Sequence, residues 1–252
     1  MTWFAHTAFA AGFYGLLVGM FVPELIRRIP EPEPEDSEAG AASADGADGT
    51  AAPLPEVEEP KELYADIAGR RGLRWKTAVT TAVAAGLMGG RVGWTPELAV
   101  LLYLAPVGVA LAVVDWRTRL LPTRVIAPSY AVVIALVLLS AWVDHDLGSL
   151  TRAGWGWLLA GGTFFGLWFV YPKGMGYGDV RLSGVLGIAL GYLGWAELLT
   201  GVYAGFLIGG VGGLLLSALR IVDRKAYPFG PFMLVGALVG VLAGPYVAAW
   251  YG

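Results

Sequence analysis

Two aspartates are the residues best placed to do chemistry in this chain. Asp115 closes one long apolar run, and Asp179 opens another behind the stretch GMGYG, in which Gly174, Gly176 and Gly178 take every second position. A carboxylate against apolar, membrane-type sequence costs up to about 2.5–3.5 kcal/mol at full depth, so each is a functional candidate by default. The plain alternative is an interfacial salt bridge from each to a neighbouring arginine, Arg117 or Arg181. If the two acids instead face each other in a low-dielectric site, they cannot both ionise easily and share one proton. One then activates a water while the other protonates the leaving group or oxyanion of an amide, and the titration belongs to the pair.

The glycines fit such a site by allowing an extended substrate backbone to approach and by admitting conformations barred to other residues. A phosphate cradle does not fit them. It needs a preceding strand, a following helix N-terminus and, in a P-loop, a Lys-Ser/Thr pair, none of which is present. No nucleotide or nucleic-acid partner is therefore expected. There are no cysteines, which excludes disulfides and thiolate metal sites. His6 and His145 have no metal-ligand company.

The elements that must position the aspartates are membrane spans. The chain is 56% hydrophobic, with ten tryptophans and a mean hydropathy of +0.63, too apolar for an ordinary soluble domain. Eight runs approach the length that crosses bilayer hydrocarbon: Trp3–Val22, Thr77–Val92, Pro96–Val114, Val125–Val143, Ala153–Tyr171, Leu182–Leu199, Thr200–Leu219 and Pro231–Tyr251. The sixth and seventh are nearly continuous and are divided at Trp195–Thr200. Only helices suit such runs, because backbone groups in lipid must be satisfied within the segment. With the N-terminus outside, the cytoplasmic loops hold fifteen of the seventeen basic residues, leaving Arg91 and Arg152 on the other face. Both aspartates then fall at the cytoplasmic side. The first span reads as an anchor, since its basic pair follows the apolar run, the reverse of a signal peptide.

Three regions result. Residues 1–30 hold the first span and its exit, 31–62 an acidic Pro/Ala/Gly-rich cytoplasmic linker, and 63–252 a seven-span catalytic membrane domain. The linker concentrates eleven of the twenty acids and has too few large apolar residues to offset chain entropy, so it is expected to be disordered. Outside it, sixteen basic residues face nine acids, and most of this basic rim is read as engaging lipid headgroups. Glycines every fourth residue, at 201, 205, 209 and 213 and at 236, 240 and 244, predict close helix crossings.

Four stretches together resemble the type IV prepilin peptidase family, bacterial intramembrane aspartyl proteases. GMGYGDVRL is similar to the glycine-rich motif of the second catalytic aspartate, which maps to Asp179. DWRTRLLPTRV is similar to the motif of the first, mapping to Asp115 and Pro122. KAYPFGPFMLVGA resembles the segment that opens the last span and maps site-shaping roles to Pro228, Phe229, Gly230 and Pro231. GLLVGMFVPELIRRIP resembles the end of the first span. The resemblance implies an all-α polytopic enzyme of the bacterial plasma membrane. It removes the short basic leader of prepilins or pseudopilins at the cytoplasmic face, using no cofactor. Many members carry paired CxxC motifs that bind zinc in the first cytoplasmic loop. This chain lacks them and has Thr123 where an Asn usually follows the proline. S-adenosylmethionine would be needed only if the methylation performed by some members is retained. Two other readings stay open: a proton- or cation-coupled transporter using the aspartates as relays, and an inactive scaffold for pilus assembly.

Overall fold

A computed structural model describes residues 3–31, 62–172, 174–219 and 228–251. The described residues form helices and no strands: α1 (Ala5–Gly19), α2 (Val22–Arg27), α3 (Tyr64–Gly69), α4 (Leu73–Val92), α5 (Glu97–Thr118), α6 (Thr123–Asp144), α7 (Leu147–Gly156), α8 (Gly162–Val170), α9 (Tyr177–Leu193), α10 (Trp195–Ala218) and α11 (Gly230–Tyr251). A single π-helical turn, Trp157–Gly161, joins α7 to α8, so these form one uninterrupted rod. The protein is an all-α membrane protein.

Among the described residues, five helices are long and apolar enough to cross a membrane: α5, α6, the α7–α8 rod, α10 and α11. The other three expected spans form helices that miss that standard for separate reasons. Helix α1 stops at Gly19 after 15 residues, about 22 Å of helix against roughly 30 Å of hydrocarbon. Helix α4 has 20 residues but is diluted by Thr77, Thr80, Thr81 and three charged positions, Arg74, Lys76 and Arg91. Helix α9 has 17 residues, and its break from α10 falls at Gly194, before the Trp195–Thr200 boundary expected from sequence. Gly194 is extended there, and Glu197 lies in the first turn of the new helix, where its charge suits the helix dipole.

Small residues set the packing. Along α10 and α11, a Cβ on Gly236 would stand 2.4 Å from the Gly205 backbone nitrogen, and one on Gly240 would stand 2.8 Å from the Gly201 Cα. The two helices run antiparallel and cross closely, and the close crossing is what the glycine spacing predicts. The same device, not anticipated, joins α1 to α4: Gly15 meets Thr81 and Ala82, and Gly89 meets Ala11. It joins α7 to α9 as well, where Gly156 lies against Gly187. Helix α9 is the hub, packing against α5, α6, α7, α8, α10 and α11. From Asp179 to Tyr192 only Arg181 is more than slightly exposed, which fits a helix apolar on all sides.

The interior of the acidic segment, residues 32–61, lies outside the described residues. Its two ends are fixed. The Glu31 carboxylate accepts from the N–H groups of Tyr64 at 2.9 Å and Ala65 at 3.1 Å, capping α3, and Glu62 pairs with Arg70 at 2.6 Å. Burial, with Glu31 nearby, raises the Tyr64 hydroxyl above its ordinary range. At the opposite face, Asp146 caps α7 by accepting from the Ser149 N–H and hydroxyl, and these bonds hold its carboxyl below the ordinary range.

Candidate active site

The site is assembled from three helix ends. Helix α5 delivers Asp115 one turn before it stops. The Arg119 N–H donates to the Asp115 carbonyl at 2.8 Å, with Arg119 left-handed at φ 57°. The Thr118 hydroxyl donates to the Val114 carbonyl at 2.9 Å and accepts from the Leu120 N–H at 3.3 Å. These bonds reverse the chain within a few residues. Pro122 then starts α6 from an extended conformation, its fixed φ suited to a helix entrance.

Helix α9 delivers Asp179 in its first turn, where the Asp179 N–H donates to the Gly176 carbonyl at 3.1 Å. Helix α11 supplies the third end. The Gly230 N–H donates to Asp115 Oδ2 at 2.9 Å. A backbone donor at a helix N-terminus carries partial positive charge, so this contact favours an ionised Asp115. Phe229 fixes that donor in space. It packs with Phe164 and Phe206 at ring separations of 5.9 and 5.8 Å and lies over Gly209, where any Cβ would stand 2.5 Å from its ring.

Asp115 is 4% exposed and Asp179 7%, so both carboxylates are withdrawn from water. They are close enough to interact electrostatically. Among the described residues neither has a cationic partner. Arg181, the candidate partner of Asp179, instead bonds the Thr123 hydroxyl and lies 4.6 Å over the Tyr177 ring. Arg117 is exposed. The salt-bridge reading of the two acids therefore finds no support among the described residues. One oxygen of Asp179, Oδ1, is buried without a hydrogen-bond partner among them.

The sequence-predicted residues divide. Gly178, next to Asp179, and Gly230, which donates to Asp115, meet at one side chain that the sequence did not mark, Leu121. A Cβ on Gly178 would stand 2.6 Å from the Leu121 Cβ, and one on Gly230 would stand 2.8 Å from Asp115 Oδ2 and 3.3 Å from Leu121 Cδ2. Gly174 and Gly176 are exposed in the loop before α9, with Gly176 beside Asp179 Oδ2. The expectation that the three loop glycines adopt conformations barred to other residues is overturned. Among the described glycines only Gly72 and Gly93 have positive φ, while Gly176 sits at φ −69°. What Gly178 supplies is space. Pro228 is buried, and Pro231 opens the first turn of α11 facing a basic cleft. No cluster of three or more potential metal ligands occurs among the described residues.

Comparison with known proteins follows the same residues. Residues 102–216 match the Type IV leader peptidase family, a stretch that contains both aspartates. The chain is 31% identical over 164 residues to the "Prepilin leader peptidase/N-methyltransferase" of Aeromonas salmonicida (strain A449), covering 63% of this chain and 53% of that protein. It is 24% identical to the protein of that name from Pseudomonas aeruginosa, covering 94% and 90% respectively. To the one from Escherichia coli (strain K12) it is 30% identical over 166 residues, covering 63% and 70%. The chain spans about half the length of the Aeromonas relative. No solved structure matches it significantly. Taken with the two buried aspartates that the matched stretch contains, the similarity shows that the chain belongs to the type IV leader peptidase family.

Proposed function

We propose that the protein is an intramembrane aspartic endopeptidase that removes the leader peptide from type IV prepilins or pseudopilins. The observation that carries this reading is the pair of buried carboxylates, brought from two helices into one site with no cation among the described residues to neutralise them. An uncompensated pair of buried charges is too costly to persist, so the pair holds a proton and one net negative charge.

The surroundings support a division of roles between the two. Asp115 accepts the Gly230 N–H and is the ionised member; Asp179, with an unpartnered buried oxygen, carries the proton. Asp115 then takes a proton from a water as that water attacks the scissile carbonyl. Asp179 gives its proton to the developing oxyanion, and collapse of the tetrahedral intermediate passes a proton to the leaving amine. The exposed loop at Gly174 and Gly176 leaves room beside Asp179 for an extended peptide backbone. The substrate enters from the cytoplasmic face of the bacterial plasma membrane. Methylation of the new N-terminus forms no part of the proposal, which rests on the carboxylate pair alone.

The test is co-expression with a prepilin, following the electrophoretic mobility and mass of the substrate. Asp115→Asn and Asp179→Asn are each expected to lower cleavage by at least about a thousandfold, within the range for loss of a positioned acid or base, while the protein still inserts in the membrane. Normal processing by both single variants would overturn the mechanism.

A further inference from the structure

The end of the bundle that holds the carboxylates has a second feature that peptide hydrolysis does not use. A cavity of about 520 Å³ opens between α4 and α5, with Arg70, Arg71, Lys76 and Arg117 in its lining and no acid among the lining residues. Arg70 is occupied by Glu62. Arg71, Lys76 and Arg117 are exposed and have no ion-pair or hydrogen-bond partner among the described residues. The Thr77 hydroxyl is already used, donating to the Gly19 carbonyl at 2.8 Å, so the three cations are the charged recognition groups that remain, with the Thr80 hydroxyl below them.

Below its mouth the cavity turns apolar, walled by Val109, Ala112 and Val113 of α5. A second cavity of about 160 Å³ shares Thr80 and Val109 with the first and continues between α4, α5, α9 and α11 along Ala84, Met88 and Leu104. Trp75 and Trp116, both substantially exposed, mark the same level as an interface.

A slot with three uncompensated cations at its mouth and an apolar continuation matches an amphiphile with an anionic head. We propose that this cleft binds an anionic phospholipid, its phosphate at Arg71, Lys76 and Arg117 and one acyl chain between α4 and α5. An acidic peptide would satisfy the cations but leave the apolar continuation empty. A helix, about 10–12 Å across, is too wide for that continuation, whereas a single alkyl chain fits it. The bound lipid would stand beside the segments carrying the carboxylates, since Trp116 and Arg117 follow Asp115 and Pro231 follows Gly230 in the lining.

The experiment is native mass spectrometry of the full-length protein titrated with phosphatidylglycerol or phosphatidylcholine of matched acyl composition. Phosphatidylglycerol is expected to be retained preferentially. The triple variant Arg71→Ala/Lys76→Ala/Arg117→Ala is expected to lose on the order of a hundredfold in apparent affinity, from about fivefold per cation at a membrane surface. Ala112→Trp keeps all three cations but fills the slot, and it too is expected to lose the lipid; Val109→Phe serves if that variant does not fold. Arg27→Ala/Arg28→Ala, which removes cations paired with Glu24 elsewhere, is expected to bind as the wild type does. Equal retention of both lipids would overturn the proposal, as would undiminished binding by the triple variant or by the slot-filling variant. Equal loss in the Arg27/Arg28 variant would reduce it to general surface charge, and displacement by sn-glycerol 3-phosphate at matched concentration would make it a soluble-phosphate site.

Discussion

At the scale of single residues, Asp115 and Asp179 depend on neighbours that have no chemistry of their own. Leu121 lies against both the first turn of α9 at Gly178 and the start of α11 at Gly230, so its position bears on how near the Asp179 turn can come to the helix end that donates to Asp115. This separates the glycines by what each leaves room for. A methyl at Gly178 would meet the Leu121 Cβ at 2.6 Å, and that atom cannot swing aside because it is fixed to the backbone of a tight turn. A methyl at Gly176 would meet Asp179 Oδ2 at 3.4 Å, an ordinary contact, and Gly176 has backbone angles open to any residue. Gly178→Ala is therefore expected to cost about 1–3 kcal/mol of overpacking and to depress cleavage strongly, while Gly176→Ala keeps wild-type stability and weakens cleavage only by the room its methyl takes from the substrate. Steady-state cleavage with a leader-containing peptide, measured beside thermal unfolding in detergent, checks both. Equal loss of stability in the two variants would mean that the Leu121 contact is incidental.

At the scale of elements, the hydrogen bond to Asp115 is only as firm as the seating of α11. Its N-terminal donor is held by the Phe229 cluster at one end and by the glycine seam with α10 along its length. A methyl on Gly236 would collide with the backbone of Gly205 at 2.4–2.5 Å, and only helix separation could relieve it, whereas a methyl on Gly210 would meet nothing within 4 Å. Gly236→Ala is expected to lose about 1–3 kcal/mol of stability and cleavage along with it, and Gly210→Ala neither; detergent unfolding and turnover read this out. The seam was legible in the sequence because a four-residue glycine period has few other uses in a membrane helix. The aspartates were legible for a related reason: acids are rare beside apolar runs, so each one is informative. Leu121 was not legible, since a leucine among leucines and valines gives no signal until chain reversal places it between two helix starts. The break between α9 and α10 was legible to within a residue, expected at Trp195–Thr200 and found at Gly194, whereas the π-turn at Trp157–Gly161 was hidden inside unbroken apolar sequence, where hydropathy does not register backbone geometry.

At the scale of the whole molecule, one question governs the rest: whether the carboxylates and the basic cleft face the cytoplasm. The loop between α5 and α6 adjoins the carboxylates, and the loop between α6 and α7 lies at the opposite end of α6, a helix of 22 residues and about 33 Å. By the positive-inside rule the first of these loops is expected inside, since fifteen of seventeen basic residues fall on that side in the eight-span reading. The structure makes the prediction sharper, because among the described residues five helices meet the length and apolarity of a span on their own, and the eight-span reading needs α1, α4 and α9 to cross in company. Helix α9 is enclosed by six neighbours and so is shielded from lipid, whereas α1 packs one face on α4 and leaves Phe9 and Phe13 exposed, apolar groups that lipid would cover without penalty. The absence of native cysteine makes a direct measurement simple. Asp144→Cys, exposed at the end of α6, is expected to react with a membrane-impermeant maleimide in intact spheroplasts. Arg124→Cys, exposed in the first turn of the same helix, is expected to react only after the membrane is opened. The reverse pattern would place the carboxylates on the outer face, where a leader held in the cytoplasm could not reach them, and the peptidase reading would fall with it.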